Sequence, residues 1–376
     1  MKIVIASDSF KDSANALDAC QAMAIGVSNA NHDITTEIFP LADGGEGTAE
    51  ILTYYTCGKT IYVDTVDPIG RPIKADYGIS EDETTAFIDM ASASGLQLLE
   101  PEKRNPVNTS SFGTGLMIKN AIERGVEKII LGIGGSATND AGTGMAKALG
   151  YKFYDENNVE VECKGCDLNI IASYEHDETF LENLPQIQVL ADVNNPLYGH
   201  LGAAFVYGKQ KGASGREILS LNEGLQSIAN IVSNQTNKSF ENIPGAGAAG
   251  GMGFGAKVFL NAELIPGSET VIEASGIEKA IQDADFLFTG EGSIDEQTKN
   301  GKLISGICKM AAKHNIPVIA FCGSLNASMN ELKMIGIQAA FPILNQPMDL
   351  QTALLKTEIL LKKTAENVVR LICAKP

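Results

Sequence analysis

Two hydrophobic periods alternate along this chain, and that alternation restricts the fold more than any other feature. Residues 2–6 form a short β-branched run; behind it Leu17, Cys20, Ala24 and Val27 recur at helical spacing, with Asp12 or Ser13 as the expected cap. A second extended run covers residues 35–41. The same grammar returns at 128–133 and 187–191. Near the C-terminus an extended run at 285–289 is followed by a helix near 303–314, an extended run at 317–322 and a final helix from about residue 350. Extended runs separated by helical stretches of this length predict βαβ units and a largely parallel sheet. Residues from about 66 to 280 are richer in glycine and turns, which predicts a second domain.

The chain has 376 residues, enough for two domains. Asp and Glu number 46 against 29 Lys and Arg, a net charge of −17. A field of that sign repels phosphate backbones and argues against nucleic-acid binding. It also means that an anionic substrate needs a local basic group or a metal ion. No apolar run approaches the ~20 residues of a membrane helix, and the N-terminal run meets Asp8 too soon for a signal peptide. An odd count of seven cysteines in a chain of this size points to reduced thiols and a cytoplasmic setting. Cys163 and Cys166 form a lone CxxC, read as a surface turn because no second pair stands near it.

In open α/β sheets ligands bind beyond the carboxyl ends of the strands. Five expected strand ends carry carboxylates, hydroxyls and glycines: Ser7, Asp8, Ser9 and Lys11; residues 42–48 (ADGGEGT); residues 134–140 (GGSATND); residues 192–196 (DVNNP); and residues 290–295 (GEGSID). Turns favour these residue types in any case, but five together predict a polar ligand site. Residues 132–150 hold six glycines behind a strand. With Ser136 and Thr138 they form a candidate anion cradle, in which backbone N–H groups face the ligand with no Cβ in the way. Residues 245–255 hold six more, read equally well as a loop over phosphates or as a close crossing of backbones.

Two dinucleotide-type patterns keep a nicotinamide enzyme in play. Residues 132–137 fit GxGxxA with Asp155 about 20 residues on, and residues 245–250 fit GxGxxG without a preceding strand. The carboxylates favour the other reading. Phosphoryl transfer from a nucleotide requires Mg²⁺ held by one or two carboxylates and by phosphate oxygens. Asp43, Glu46, Asp192, Glu291 and Asp295 all lie on strand-end loops, where they suit a metal or a substrate hydroxyl. The four histidines lack a nucleophile pattern. Among Lys11, Arg71, Lys209, Lys211, Arg216 and Lys302, one or two are expected to grip a carboxylate or phosphate.

These segments resemble the class I glycerate kinases. The likeness rests on residues 5–11 (IASDSFK), 40–48 (PLADGGEGT), 67–72 (DPIGRP), 132–144 (GIGGSATNDAGTG), 192–196, 207–213, 245–255 and 289–297, with Gly301 and Lys302. Two positions depart from it, Lys209 where proline is expected and Ala141 where glycine is common.

The resemblance implies an α/β fold. A Rossmann-like parallel-sheet domain is built from both chain ends, residues 1–68 and 281–376, and a second α/β domain is inserted at 69–280. It implies ATP-dependent phosphorylation of D-glycerate, favouring the 2-phosphate, in a cleft between the domains. The implied cofactors are ATP and Mg²⁺. Gly134, Gly135, Ser136 and Thr138 would cradle nucleotide phosphates, with Gly250 and Gly251 assisting. Asp43, Asp192 and Asp295 would serve as base or metal ligands, and Ser9, Lys11 and Arg71 would hold the glycerate carboxylate. An NAD-dependent hydroxy-acid dehydrogenase is the alternative. The oligomeric state is left open, with a homodimer among the choices.

Overall fold

The structure is a computed structural model that describes residues 1–295, 298 and 302–374. Gln297 and Gly301, which share in the family likeness, lie outside the described residues. The strands, in chain order, are β1 (Lys2–Ser7), β2 (Thr35–Ile38), β3 (Lys59–Val66), β4 (Pro72–Ile79), β5 (Thr85–Asp89), β6 (Lys128–Gly132) and β7 (Lys152–Tyr154). They continue with β8 (Ser173–Glu175), β9 (Gln186–Leu190), β10 (Glu263–Ile265), β11 (Phe286–Ile294), β12 (Val318–Leu325) and β13 (Ala339–Pro342).

The chain divides into two compact units: residues 1–43 with 268–376, and residues 44–267. The first is built around a five-stranded sheet of order β13-β12-β11-β1-β2, every pair parallel. Its core joins Ile3, Ile5, Phe288 and Phe321 to the helix Ala16–Ala30 and the C-terminal helix Thr357–Cys373. The two helices cross closely at Gly26, where a Cβ would stand 2.2 Å from the Lys362 carbonyl. The buried face of the first helix is Ala19, Cys20, Met23, Gly26 and Val27, rotated from the expected stripe, and Leu17 and Ala24 are only half-buried. Its cap is Asn15, whose side chain accepts from the Asp18 amide at 2.8 Å. Ser13 instead closes a turn onto the Phe10 carbonyl.

The second unit holds a six-stranded sheet of order β10-β9-β6-β5-β4-β3. Pairs from β5 through β6 and β9 to β10 are parallel, and β4 adds to β5, and β3 to β4, antiparallel. A separate hairpin pairs β7 with β8. The expected boundary at residue 68 is therefore corrected to 43/44. β3 pairs along its whole length with β4, and the helix Thr48–Tyr55 buries Ile51 and Leu52 in this unit, so residues 44–68 belong to it. The second boundary, expected at 281, falls at 267/268. Among the described residues no helix is long and apolar enough to cross a membrane.

Parallel register aligns the strand ends in each unit. In the first, Ser7 pairs with Gly290, so Asp8 leaves β1 beside Glu291, which continues in β11 paired with Cys322 of β12. In the second, Asp89, Gly132 and Leu190 are in register, so Asp89, the 133–140 loop and Asp192 emerge from one edge.

Candidate active site

The first unit gathers acids at the ends of β1, β2 and β11. Ser7 is fully buried and ties β1 to β11 by donating to the Gly290 carbonyl at 3.0 Å. Asp8 follows, its Oδ1 accepting from the Ser9 amide at 2.6 Å. Burial raises the Asp8 carboxyl to about 7, and the charges of Asp43 and Glu291 add to the rise. Glu291 is likewise raised to about 7, first by burial and then by Asp295 and Asp43; a 2.8 Å bond from the Thr298 hydroxyl opposes this. Two of the expected aspartates, Asp43 and Asp295, thus act on the same glutamate. Asp8 and Glu291, the most perturbed members of the set, were not among the expected catalytic residues. Their signal in the sequence is position, one residue beyond the register pair Ser7 and Gly290. Ser9 is half-buried beside Asp8, and Lys11 is exposed on the same loop.

Among the described residues no three His, Cys, Asp or Glu side chains form a ready metal cluster. Mg²⁺ does not require one, because it keeps waters and phosphate oxygens beside one or two carboxylates. The hard oxygen donors of the Asp43 and Asp295 set fit such an ion. Cys163 is buried and Cys166 exposed, both as free thiols.

The second unit brings glycine loops together. Gly47, at φ +88, precedes the helix Thr48–Tyr55 and offers no capping side chain. Asp89, at the end of β5, supplies the cap from 42 residues away: its carboxylate accepts from the Gly47 amide at 2.8 Å and the Ala49 amide at 3.1 Å. Burial raises Asp89 to about 7, against the pull of those amides. A Cβ at Gly132 would lie 2.7 Å from the Asp89 carboxylate, and one at Gly134 would lie 2.5 Å from the Gly45 Cα. The 44–47 and 132–135 loops interlock at a spacing only glycine allows. Gly135 itself has φ +74.

Beyond Gly135 the loop turns inward. The Ser136 hydroxyl accepts from the Lys211 ammonium at 2.7 Å, and Lys211 also donates to the Thr138 carbonyl at 2.7 Å. Thr138 is fully buried, and among the described residues its hydroxyl has no hydrogen-bond partner. Asp140 anchors the loop by accepting from the Ser111 amide and hydroxyl, at 2.6 and 2.7 Å, and from the Gly142 amide at 3.2 Å. Ala141, the departure from the family pattern, sits at φ +53, where an L side chain is strained.

The second glycine cluster packs behind the first. The Ala141 amide donates to the Gly250 carbonyl at 3.1 Å. A Cβ at Gly250 would lie 1.9 Å from the Thr138 carbonyl, and one at Gly251 would lie 2.9 Å from the Ala141 Cα. Residues 249–251 all take positive φ at the start of the helix Ala248–Leu260. Gly250 and Gly251 thus form a close backbone crossing behind the loop. Arg71 is also committed elsewhere: it donates to the buried Asp67 at 2.5 Å, to the Leu98 carbonyl at 3.1 Å and to Glu100 at 3.5 Å. Asp155, the acid of the nicotinamide pattern, caps a turn by accepting from the Asn157 and Val159 amides, each at 2.8 Å.

The chain matches the model of the glycerate kinase family over residues 3–373. It is 44% identical over 367 residues to the glycerate kinase of Halalkalibacterium halodurans, covering 97% of each chain. It is 42% identical over 346 residues to the glycerate 2-kinase of Escherichia coli K12, covering 92% of this chain and 91% of that one. A crystal structure provisionally named glycerate kinase 2, from Salmonella typhimurium LT2, superposes with a TM-score of 0.84 at 40% identity and covers 99% of this chain and 98% of that one. A βαβ-type parallel fold, interlocked glycine loops and end-to-end similarity converge on one statement: the chain belongs to the glycerate kinase family.

Proposed function

We propose that the chain transfers the γ-phosphoryl group of ATP to a hydroxyl of D-glycerate, with the 2-hydroxyl as acceptor. The observation that carries this reading is the acid set of the first unit, where Asp8 and Glu291 are both held near 7 by burial and by neighbouring carboxylates. Carboxylates placed closely enough to raise Asp8 and Glu291 favour the arrival of a cation or a proton, which is what a metal site or a general base has to take up. In the step, the acceptor oxygen bonds to the γ-phosphorus, the bond from that phosphorus to the β–γ bridging oxygen breaks, ADP departs, and the hydroxyl proton passes to a carboxylate. Asp43, Asp192 and Asp295 are the candidates for that base or for metal binding, with Asp8 and Glu291 setting the charge around Asp43 and Asp295. Mg²⁺, when bound, would offset phosphate charge, and Asp43 or Asp295 would hold it.

Gly134, Gly135 and Ser136 would present the nucleotide-phosphate cradle, with Thr138 shaping it from within. Ser9 and Lys11 would bind the glycerate carboxylate; the ties of Arg71 to Asp67 and Leu98 suit it better to holding its turn. An enzyme drawing on ATP and a small organic acid fits a cytoplasmic setting. The nicotinamide alternative loses its support because Asp155 is spent in a turn.

Purified protein given D-glycerate, ATP and Mg²⁺ should release ADP, and omission of any one should stop it. The product should feed enolase and pyruvate kinase without phosphoglycerate mutase. A need for the mutase would move the acceptor to the 3-hydroxyl. NADH from NAD and glycerate, without ADP, would sink the kinase reading.

A further inference from the structure

Lys211 is 3% exposed, and its ammonium ends against the inner side of the 132–144 loop. Its contacts there are the Ser136 hydroxyl and the Thr138 carbonyl, both at 2.7 Å. Among the described residues no carboxylate lies within ion-pair distance of it. From the glycine loop, Asp140 acts on it only at longer range and favours its charged form; from its own segment, Lys209 is exposed to solvent. A buried cation without a paired anion costs free energy, and an anion arriving nearby offsets that cost.

We propose that Lys211 is a positioning residue that turns the Ser136 hydroxyl outward, making residues 134–138 a proton-linked clamp for an oxyanion. The direction of the hydrogen bonds carries the argument. A carbonyl only accepts, so one N–H of Lys211 is committed to Thr138 whatever its charge. When Lys211 is an ammonium, its bond to Ser136 also has to run from nitrogen to oxygen. The Ser136 proton is then released to point at a ligand oxygen. When Lys211 is a neutral amine, its lone pair accepts the Ser136 proton, because an alcohol is the better donor and an amine the better acceptor. The hydroxyl then turns away from the ligand.

Burial lowers Lys211 to about 7, so both states are populated near neutral pH. Binding of an oxyanion at Ser136 should therefore draw a proton onto Lys211. This inference rests on the reading of the loop as an anion cradle. Phosphate and carboxylate share the required chemistry, and the nucleotide and D-glycerate are the two sources.

Titration calorimetry of the whole protein at pH 8, in buffers of different ionisation enthalpy, tests the clamp. Wild type should take up close to one proton per bound ligand, because the free lysine is mostly neutral there. Uptake with Mg-ADP places the phosphates at the clamp, and uptake with D-glycerate places the carboxylate there. Lys211→Met should take up none and bind about 10–100-fold more weakly, the scale of one charge-assisted bond. Lys211→Arg should bind without uptake, its affinity flat between pH 6 and 9 where that of wild type falls.

A lysine with a purely structural role would give no uptake in wild type, and that result alone overturns the proposal even if Lys211→Met does not fold. Glycerate phosphorylation without proton uptake would sink the clamp and leave the kinase reading standing. Uptake on Mg-ADP without phosphorylation would do the reverse. Failure to bind either ligand would remove both.

Discussion

The strand ends of the two units are built by opposite means. In the first, the strand ends carry side-chain charge, and burial with the charges of Asp43 and Asp295 nearby raises the proton affinity of Asp8 and Glu291. In the second, Asp89 is spent capping a helix and the glycine loops present bare backbone: a Cβ at Gly132 would meet the Asp89 carboxylate and one at Gly134 the Gly45 Cα. Crowded acids store repulsion that a cation or a proton relieves. Interlocked glycines store no charge, but they tolerate no added atom. Removing a functional group from the first region should therefore cost activity and spare stability, whereas adding an atom to the second should cost stability first.

The strongest test of this contrast is on the acids. Asp43→Asn, Asp192→Asn and Asp295→Asn are nearly isosteric, so melting temperature should hold. The base position should lose about 10²–10⁴-fold in kcat without recovery in excess Mg²⁺. A metal position should recover part of its rate as Mg²⁺ rises. Unchanged kcat and unchanged Mg²⁺ dependence in all three variants would reduce these aspartates to turn residues; for Asp43 and Asp295 that would break the comparison on its first side, while Asp192 belongs to the second unit.

Next in size is a pair of glycine variants that separates the front of the loop from its rear. Gly250→Ala puts a Cβ 1.9 Å from the Thr138 carbonyl at φ +70, so the backbone has to move. It should lose about 2–4 kcal/mol in denaturant unfolding, the scale of an overpacked or strained core site. At Gly135, with φ +74, a Cβ would meet the Ala91 Cβ at 3.3 Å and the Glu46 carboxylate at 4.0 Å, so Gly135→Val has more room. It should lose less stability and should raise the KM for ATP more than that for glycerate. Equal kinetic effects on both substrates would show that the front of the loop does not face the nucleotide.

Local chemistry was legible in the sequence and long-range chemistry was not. The strands ending at Ser7, Gly132 and Leu190 show in β-branched runs, and their polar loops show in adjacent residues. The boundary at 43/44 does not show, because it depends on β3 pairing with β4 rather than on composition. Asp89 does not show, because the amides it caps lie about 40 residues earlier in the chain. The second glycine cluster holds as many glycines as the first, and nothing in either shows the approach of Gly250 to Thr138. The Ser136 partner is hidden for the same reason, since Lys211 is 75 residues distant.

The smallest expected effect sharpens the contrast through pH. Asp8, Asp89 and Glu291 each titrate near 7 in the fold, above the ordinary carboxylate range, so the folded state holds protons that the unfolded chain has released. Their contribution to stability is complete below about pH 4 and is lost as pH rises to about 7. Lys211 pulls the other way above that window: lowered to about 7, it favours the fold increasingly as pH climbs toward its unfolded value. Asp8→Asn removes one of the crowded charges, so at pH 8 it should raise the melting temperature by about 2–4 °C, the equivalent of ~1 kcal/mol, and should flatten the slope between pH 4 and 7. Its turnover should fall at the same time, because the group that costs stability is one that conditions the acids. A variant that loses stability at pH 8 would mean that the Asp8 bond to the Ser9 amide outweighs the repulsion from Asp43 and Glu291. The acid set would then be held together by its backbone, as the glycine loops are.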